Sequence, residues 1–281
     1  MKTKTVVGLI ALMLMITANQ VFAWDWPWAR KKKANTITLT GSTTVLPIAQ
    51  RAAETFMEIR PKANISVRGG GSGVGIAALI DGTADIASAS RPMKTKEVKT
   101  AREKGVNPVE TIIARDGIAI IVHPENPINE LSLVQLKDIY TGEIAGWDEV
   151  GGESKTIVVV SRDVASGTFE VFKKLILKGG KAKDDALMLA SNRAVAATVE
   201  QAPGAIGYVG LGYISTDVKV LKMEGGLPSL EAVAKGEYKL ARPLFMYTNG
   251  KPKGLAKEFI DFILSPQGQG IVKDLGFVPV K

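Results

Sequence analysis

The chain has 281 residues, 46% of them hydrophobic, which supplies one large or two modest cores and a globular body over most of its length. It contains no cysteine and a single histidine, His123, so a Cys nucleophile, a His-centred acid–base pair, a zinc site of the usual kind, a disulfide or a lipidated N-terminal cysteine has almost no material. Much of the formal charge of +8 sits at the N-terminus, in Lys2, Lys4 and the run Arg30-Lys31-Lys32-Lys33, and the mildly basic body that is left argues against a nucleic-acid partner.

Met1 to Ala23 combines two early lysines, an apolar run from Val6 to Ile16 and the ending Val21-Phe22-Ala23, the pattern of a cleaved secretory signal peptide rather than a retained span of about 20 apolar residues. The expected product is a freely soluble periplasmic protein of a Gram-negative cell, starting near Trp24. Residues 24–34, W-D-W-P-W-A-R-K-K-K-A, read either as a solvated leader or as a Trp/Lys contact to a membrane surface or envelope partner. Beyond them, Thr36 to Thr40 reads as a strand, and Val45, Ala49, Ala52, Ala53 and Phe56 form a helical stripe that stops at Arg60-Pro61. A strand at Ile65 to Val67, a helix at Val74 to Ile80 and a strand at Asp85 to Ala89 complete a βαβαβ unit. Thr95 to Lys104 is a charged surface helix. Val109 to Ala114 and Gly117 to Val122 are two strand-like runs separated by Arg115 and Asp116 alone.

The second half repeats the pattern. Ser132 caps a helix to Tyr140, Ile157 to Val160 is an apolar strand, and Phe169, Phe172, Leu175 and Ile176 make a helical face closed by Gly179-Gly180. Val195, Thr198, Val199 and Ala202 mark another helix, Ala205 to Val209 a buried strand, Arg242 to Thr248 an extended run, and Leu255 to Leu264 and Gly270 to Leu275 closing helices. The predicted architecture is α/β with two domains, residues 35–114 with 245–281 and residues 115–244. The chain crosses between them near 112–120 and 241–248, and two crossovers make a hinge that can close on a ligand.

Four times a short Ser/Thr/Gly segment runs into a helix: from Gly41 (G-S-T-T), Gly69 (G-G-G-S-G), Ser166 (S-G-T) and Ser191 (S-N-R). A single such segment is an ordinary helix cap. Four of them, two from each half, line an interdomain cleft with backbone N–H groups and hydroxyls at helix N-termini, outside the carboxyl ends of strands, which suits a small oxyanion. Arg162, four residues before Ser166, adds a guanidinium fork that matches phosphate, or else forms a surface pair with Asp163; Asp163 can equally hold Arg162 in place. The glycine run 69–73 can form an anion nest but lacks the Gly-Lys-Ser/Thr ending of a nucleotide P-loop.

The motifs I-T-L-T-G-S-T-T-V-L-P-I, G-G-G-S-G-V-G-I-A-A-L-I-D-G-T-A-D-I-A-S-A-S-R-P, S-R-D-V-A-S-G-T and P-G-A-I-G-Y-V-G, with I-Y-T-G-E-I-A-G-W and F-I-D-F-I-L-S-P-Q-G-Q-G, resemble the PstS-type phosphate-binding proteins of bacterial ABC importers. The likeness runs from Asn35 to the end. It implies a periplasmic binding protein of type II, a Venus flytrap that holds dehydrated phosphate and delivers it to permease subunits, as a monomer and without metal or cofactor. Carried across, it implies donation from the Thr43 hydroxyl, the Thr44 backbone N–H and Ser72, charge from Arg162, and closure by Ser166, Gly167 and Thr168. Ser90 stands where many relatives carry an Asp that accepts the phosphate proton; it can accept a hydrogen bond but has no charge. Asp116 is a candidate for that carboxylate, or a structural group, and Ser42, Gly71 and Asn192 complete the candidate set. Other readings are a receptor for sulfate or arsenate, and an envelope scaffold or sensor subunit. His123, in V-H-P-E-N-P, reads as a loop residue.

Overall fold

The computed structural model describes residues 35–280. The signal peptide and the leader expected at residues 1–34 lie outside the described residues. Strand β1 (Thr36–Gly41) leads into helix α1 (Leu46–Ile59), β2 (Asn64–Gly69), α2 (Ser72–Ile80), β3 (Ile86–Ala89) and α3 (Thr95–Glu103). Strand β4 (Pro108–Val122) follows, then β5 (Glu130–Leu131), α4 (Leu133–Thr141), β6 (Val158–Arg162), α5 (Gly167–Leu175), β7 (Leu187–Leu189), α6 (Asn192–Gln201) and β8 (Ala205–Gly210). Strands β9 (Lys219–Val220) and β10 (Lys222–Met223), helix α7 (Leu230–Lys235), strand β11 (Ala241–Asn249) and helices α8 (Gly254–Leu264) and α9 (Pro266–Asp274) complete the order.

One sheet runs through the whole body in the order β2-β1-β3-β11-β4-β8-β6-β7, with β9 beside β4, and β5 and β10 form a separate pair. Its two ends are parallel, β2 and β3 flanking β1, and β7 and β8 flanking β6, as short βα repeats require. Its middle is antiparallel, where β11 pairs with both β3 and β4, and β4 pairs with β8.

Strand β4 is a single 15-residue strand where the sequence suggests two runs. Its first part pairs with β11 and its second with β8, so the backbone ladder carries the chain from one half to the other without a break at Arg115-Asp116. Arg115 is exposed and Asp116 fully buried, the alternation of a strand. Along β4, Ile118, Ile120 and Val122 enter one apolar cluster while Ala119 and Ile121 enter another on the opposite face. The first half repeats this layering: Leu39, Ile48, Phe56, Ile113 and Phe259 pack on one face, and Ile76, Leu79, Ala87, Phe245 and Tyr247 on the other. Both halves are thus sheets covered on two faces by helices.

The core of the second half also supports polar chemistry. Phe172 stacks on Tyr208 with ring centroids 4.1 Å apart and planes 6° from parallel, and Tyr140 tilts against both. The Tyr208 hydroxyl accepts the Arg162 backbone N–H at 3.1 Å and lies 2.9 Å from Ser161 Oγ. Burial pushes its phenol up to about 12, so it stays neutral at physiological pH. Phe172→Ala leaves a cavity in this cluster and lowers unfolding stability by about 3–5 kcal/mol, read as a shift in the urea midpoint at unchanged slope.

Candidate functional site

All four Ser/Thr/Gly segments start helices, but they do so in two ways. Ser166 and Ser191 are side-chain caps, accepting the N–H groups of Phe169 at 3.2 Å and Ala194 at 3.0 Å. The other two helices have no side-chain cap at their N-cap residues, Val45 and Gly71. In the first, Ser42 Oγ accepts from Thr44 N–H at 3.1 Å and Val45 N–H at 3.4 Å, and Ser42 N–H bonds Ser88 O at 2.9 Å. The Thr44 N–H, expected to face a ligand, is therefore already bonded within its own turn. Ser72 opens α2, and its hydroxyl accepts the Ser90 N–H at 3.0 Å and lies 3.4 Å from Ser90 Oγ.

The two halves meet on these segments. Gly73 N–H donates to Ala165 O at 2.9 Å, and a Cβ on Gly71, whose φ of 98° suits glycine, would stand 2.6 Å from the same oxygen. A Cβ on Gly167 would stand 2.3 Å from Ser72 Oγ and 2.6 Å from Ser90 Oγ, so only glycine lets α5 begin this close to the Ser72–Ser90 pair. The Tyr213 hydroxyl donates to Thr43 O. At the rim, Lys94 Nζ reaches Glu170 across the halves at 2.9 Å, with both side chains partly exposed.

Inside, hydroxyls, amides and guanidinium groups form one network. Asn192 Oδ1 accepts from Gly210 N–H at 3.2 Å, which orients the amide so that Nδ2 donates to both Thr43 Oγ1 and Thr44 Oγ1 at 3.1 Å. Arg162 Nη2 donates to Thr43 Oγ1 at 3.2 Å and to Ala190 O at 2.9 Å, and its Nε donates to Leu189 O at 3.0 Å. The remaining nitrogen, Arg162 Nη1, is buried without a partner. Asp163 does not restrain this guanidinium by a hydrogen bond: its carboxylate accepts the Ala165 N–H at 3.0 Å and stiffens the loop into α5. Burial lowers the Arg162 pKa from its ordinary value, opposed by Tyr208 and the nearby Asp163 carboxylate and reinforced by the Arg242 charge.

Arg242 is the site residue that the sequence reading misses. It faces Asp116 directly in the β4/β11 register, and its Nε and Nη2 donate to Asp116 Oδ2 at 3.0 and 2.8 Å. Asp116 Oδ1 accepts the Leu211 N–H at 2.9 Å. Burial pushes the Asp116 carboxyl up, opposed by the Arg242 charge and these hydrogen bonds. Both oxygens are thus engaged, and the candidate acceptor for a ligand proton is a partner of arginine instead. Arg242 Nη2 also reaches Thr44 Oγ1 at 3.3 Å, and Nη1 lies 3.5 Å from Ser90 O. The sequence signal was a lone cation in the apolar run L-A-R-P-L-F-M-Y; its partner is visible only once the strand register is known. His123 stands apart as a loop residue whose Nδ1 accepts the Glu125 N–H at 3.2 Å.

Two sheet-and-helix halves, joined by two antiparallel crossing strands and meeting on polar helix starts, define the two-domain periplasmic-binding-protein fold of a solute-binding protein. The PBP superfamily domain matches residues 29–267. The phosphate-binding protein PstS of Bacillus subtilis is 36% identical over 252 residues, 89% of this chain and 82% of its own length. That of Borreliella burgdorferi is 31% identical, with 87% and 90% covered. A structure from Clostridium perfringens, assigned as a phosphate ABC transporter substrate-binding protein and solved with bound phosphate, aligns with a TM-score of 0.82 at 36% identity, over 88% of this chain and all of the other. An ABC-type phosphate transport receptor from Vibrio cholerae aligns with a TM-score of 0.71 at 32% identity, over 86% and 99%. The chain belongs to the PstS-type phosphate-binding proteins.

Asp116→Ala leaves the buried Arg242 charge unpaired and lowers stability by about 3–5 kcal/mol. The apolar pair Asp116→Leu with Arg242→Met recovers most of that loss, both read from urea unfolding curves.

Proposed function

We propose that the chain is the exported receptor of a phosphate importer, which captures inorganic phosphate between its halves and presents the closed form to an ABC permease. One observation carries the reading: Arg162 Nη1 is a buried cationic donor with no acceptor, in a network whose neighbouring hydroxyls also have protons to give. Thr43 Oγ1 accepts from Arg162 and Asn192, which uses both of its lone pairs and leaves its proton free. A tetrahedral dianion supplies acceptors to these donors, and an uncompensated buried guanidinium without one costs several kcal/mol. The Ser72–Ser90 pair and the start of α5 at Gly167 and Thr168 add further donors. Membership of the PstS-type family supports the same ligand.

In this reading residues 35–114 with 245–281 form one lobe and residues 115–244 the other, hinged where β4 and β11 cross. Met1–Ala23 is removed on export, and the protein acts as a soluble periplasmic monomer without a cofactor; among the described residues no helix is long and apolar enough to cross a membrane. Capture of sulfate is the second reading, favoured by Ser90 being uncharged and Asp116 being held by Arg242.

In a calorimetric titration the protein binds phosphate, and a large excess of sulfate leaves it bound; displacement by sulfate favours the second reading. Arg162→Ala weakens phosphate binding roughly 10- to 150-fold, because it removes a charge-assisted donor, and Ser90→Ala by less than about tenfold. The reverse order contradicts the assignment.

A further inference from the structure

We propose that Arg242 is a positioning residue for anion capture, which sets the direction of the Thr44–Thr168 hydrogen bond and thereby turns the Thr168 hydroxyl proton toward the ligand. This rests on the phosphate reading above. A hydroxyl has one proton and two lone pairs. Thr44 Oγ1 accepts from Asn192 Nδ2 at 3.1 Å and from Arg242 Nη2 at 3.3 Å, so both lone pairs are used. Its proton then goes to Thr168 Oγ1, 3.0 Å away in the opposite half. Thr168 accepts that bond, and its own proton is free for another acceptor. Without Arg242 one lone pair of Thr44 is open, the Thr44–Thr168 bond can reverse, and Thr168 then turns lone pairs toward the anion.

Arg242 differs from Arg162 in what its nitrogens do. Each of the three has an acceptor: Nε on Asp116, Nη2 on Asp116 and Thr44, and Nη1 at 3.5 Å from Ser90 O. Arg162 retains an unpartnered nitrogen. The geometry therefore gives the two arginines different tasks, Arg162 contacting the anion and Arg242 polarising a hydroxyl pair that bridges the halves. Asp116, directly opposite in the strand register, fixes the guanidinium at the height of Thr44.

A double-mutant cycle read by calorimetric titration with inorganic phosphate tests this. Arg242→Lys keeps the charge beside Asp116 but loses the fork that reaches Thr44 as well. It is expected to weaken phosphate binding roughly tenfold or more in the wild-type background, the range of one lost hydrogen bond to a charged acceptor. In a Thr168→Val background it is expected to weaken binding by less than about twofold, and in Thr168→Ser, which restores the hydroxyl, the full effect returns. Equal losses in all three backgrounds overturn the proposal, since Arg242 would then act on the anion or on the fold directly. If Arg242→Lys does not fold, Arg242→Gln with Asp116→Asn replaces it in the same cycle, with the same criterion. Absence of phosphate binding by the unmodified protein is a separate result and defeats the functional reading itself.

Discussion

Where the two halves meet, two guanidinium groups are buried against one carboxylate. Arg162 is 1% exposed, Arg242 5% and Asp116 0%, and Asp116 is bonded to Arg242. The low dielectric that makes the Asp116–Arg242 pair strong makes the remaining positive charge costly. The backbone carbonyls of Leu189 and Ala190 and the Thr43 hydroxyl relieve part of that cost for Arg162 but leave one nitrogen bare. In the proposed function an anion completes this balance.

The topology delivers this arrangement with few special residues. Both crossing strands pass through the point where the halves meet, so their register alone sets Arg242 opposite Asp116. Helices α2 and α5 begin against one another, and glycine at positions 71 and 167 allows backbone and hydroxyls to approach closely. The rim contact between Lys94 and Glu170 is partly exposed and contributes little in water. The energetic weight of the contact between the halves lies instead in the buried network of Thr43, Thr44, Thr168, Asn192 and Arg162, where unsatisfied groups are expensive.

Much of the fold is legible in the sequence because short apolar strands and 3.6-residue stripes are local signals. The cap at Ser132, the stripe of α1 and the strand from Ala205 all follow from neighbours in the chain. What local signals miss depends on partners far away in sequence. The charged dipeptide Arg115-Asp116 interrupts the apolar pattern of the long extended crossover, and β4 runs through it as one strand because β11 supplies both the backbone ladder and a counter-charge. Strand β7 and helix α7 are three and six residues long, too short for a period to emerge. At the site, Thr43, Thr44, Arg162, Thr168 and Asn192 stand in motifs and are readable, whereas Arg242 sits in an apolar strand with no motif. Asp163, adjacent to Arg162 in sequence, lies just past the end of β6 and accepts a backbone amide of the loop into α5 instead.

A crystal structure of the phosphate complex tests the central claim most directly. The account predicts a phosphate oxygen about 2.7–2.9 Å from Arg162 Nη1. It also predicts the Thr43 and Thr168 hydroxyls within hydrogen-bond distance of the anion, with Arg242 still on Asp116 and Thr44. Phosphate bound away from Arg162, or Arg242 swung off Asp116 to contact it, would contradict the account.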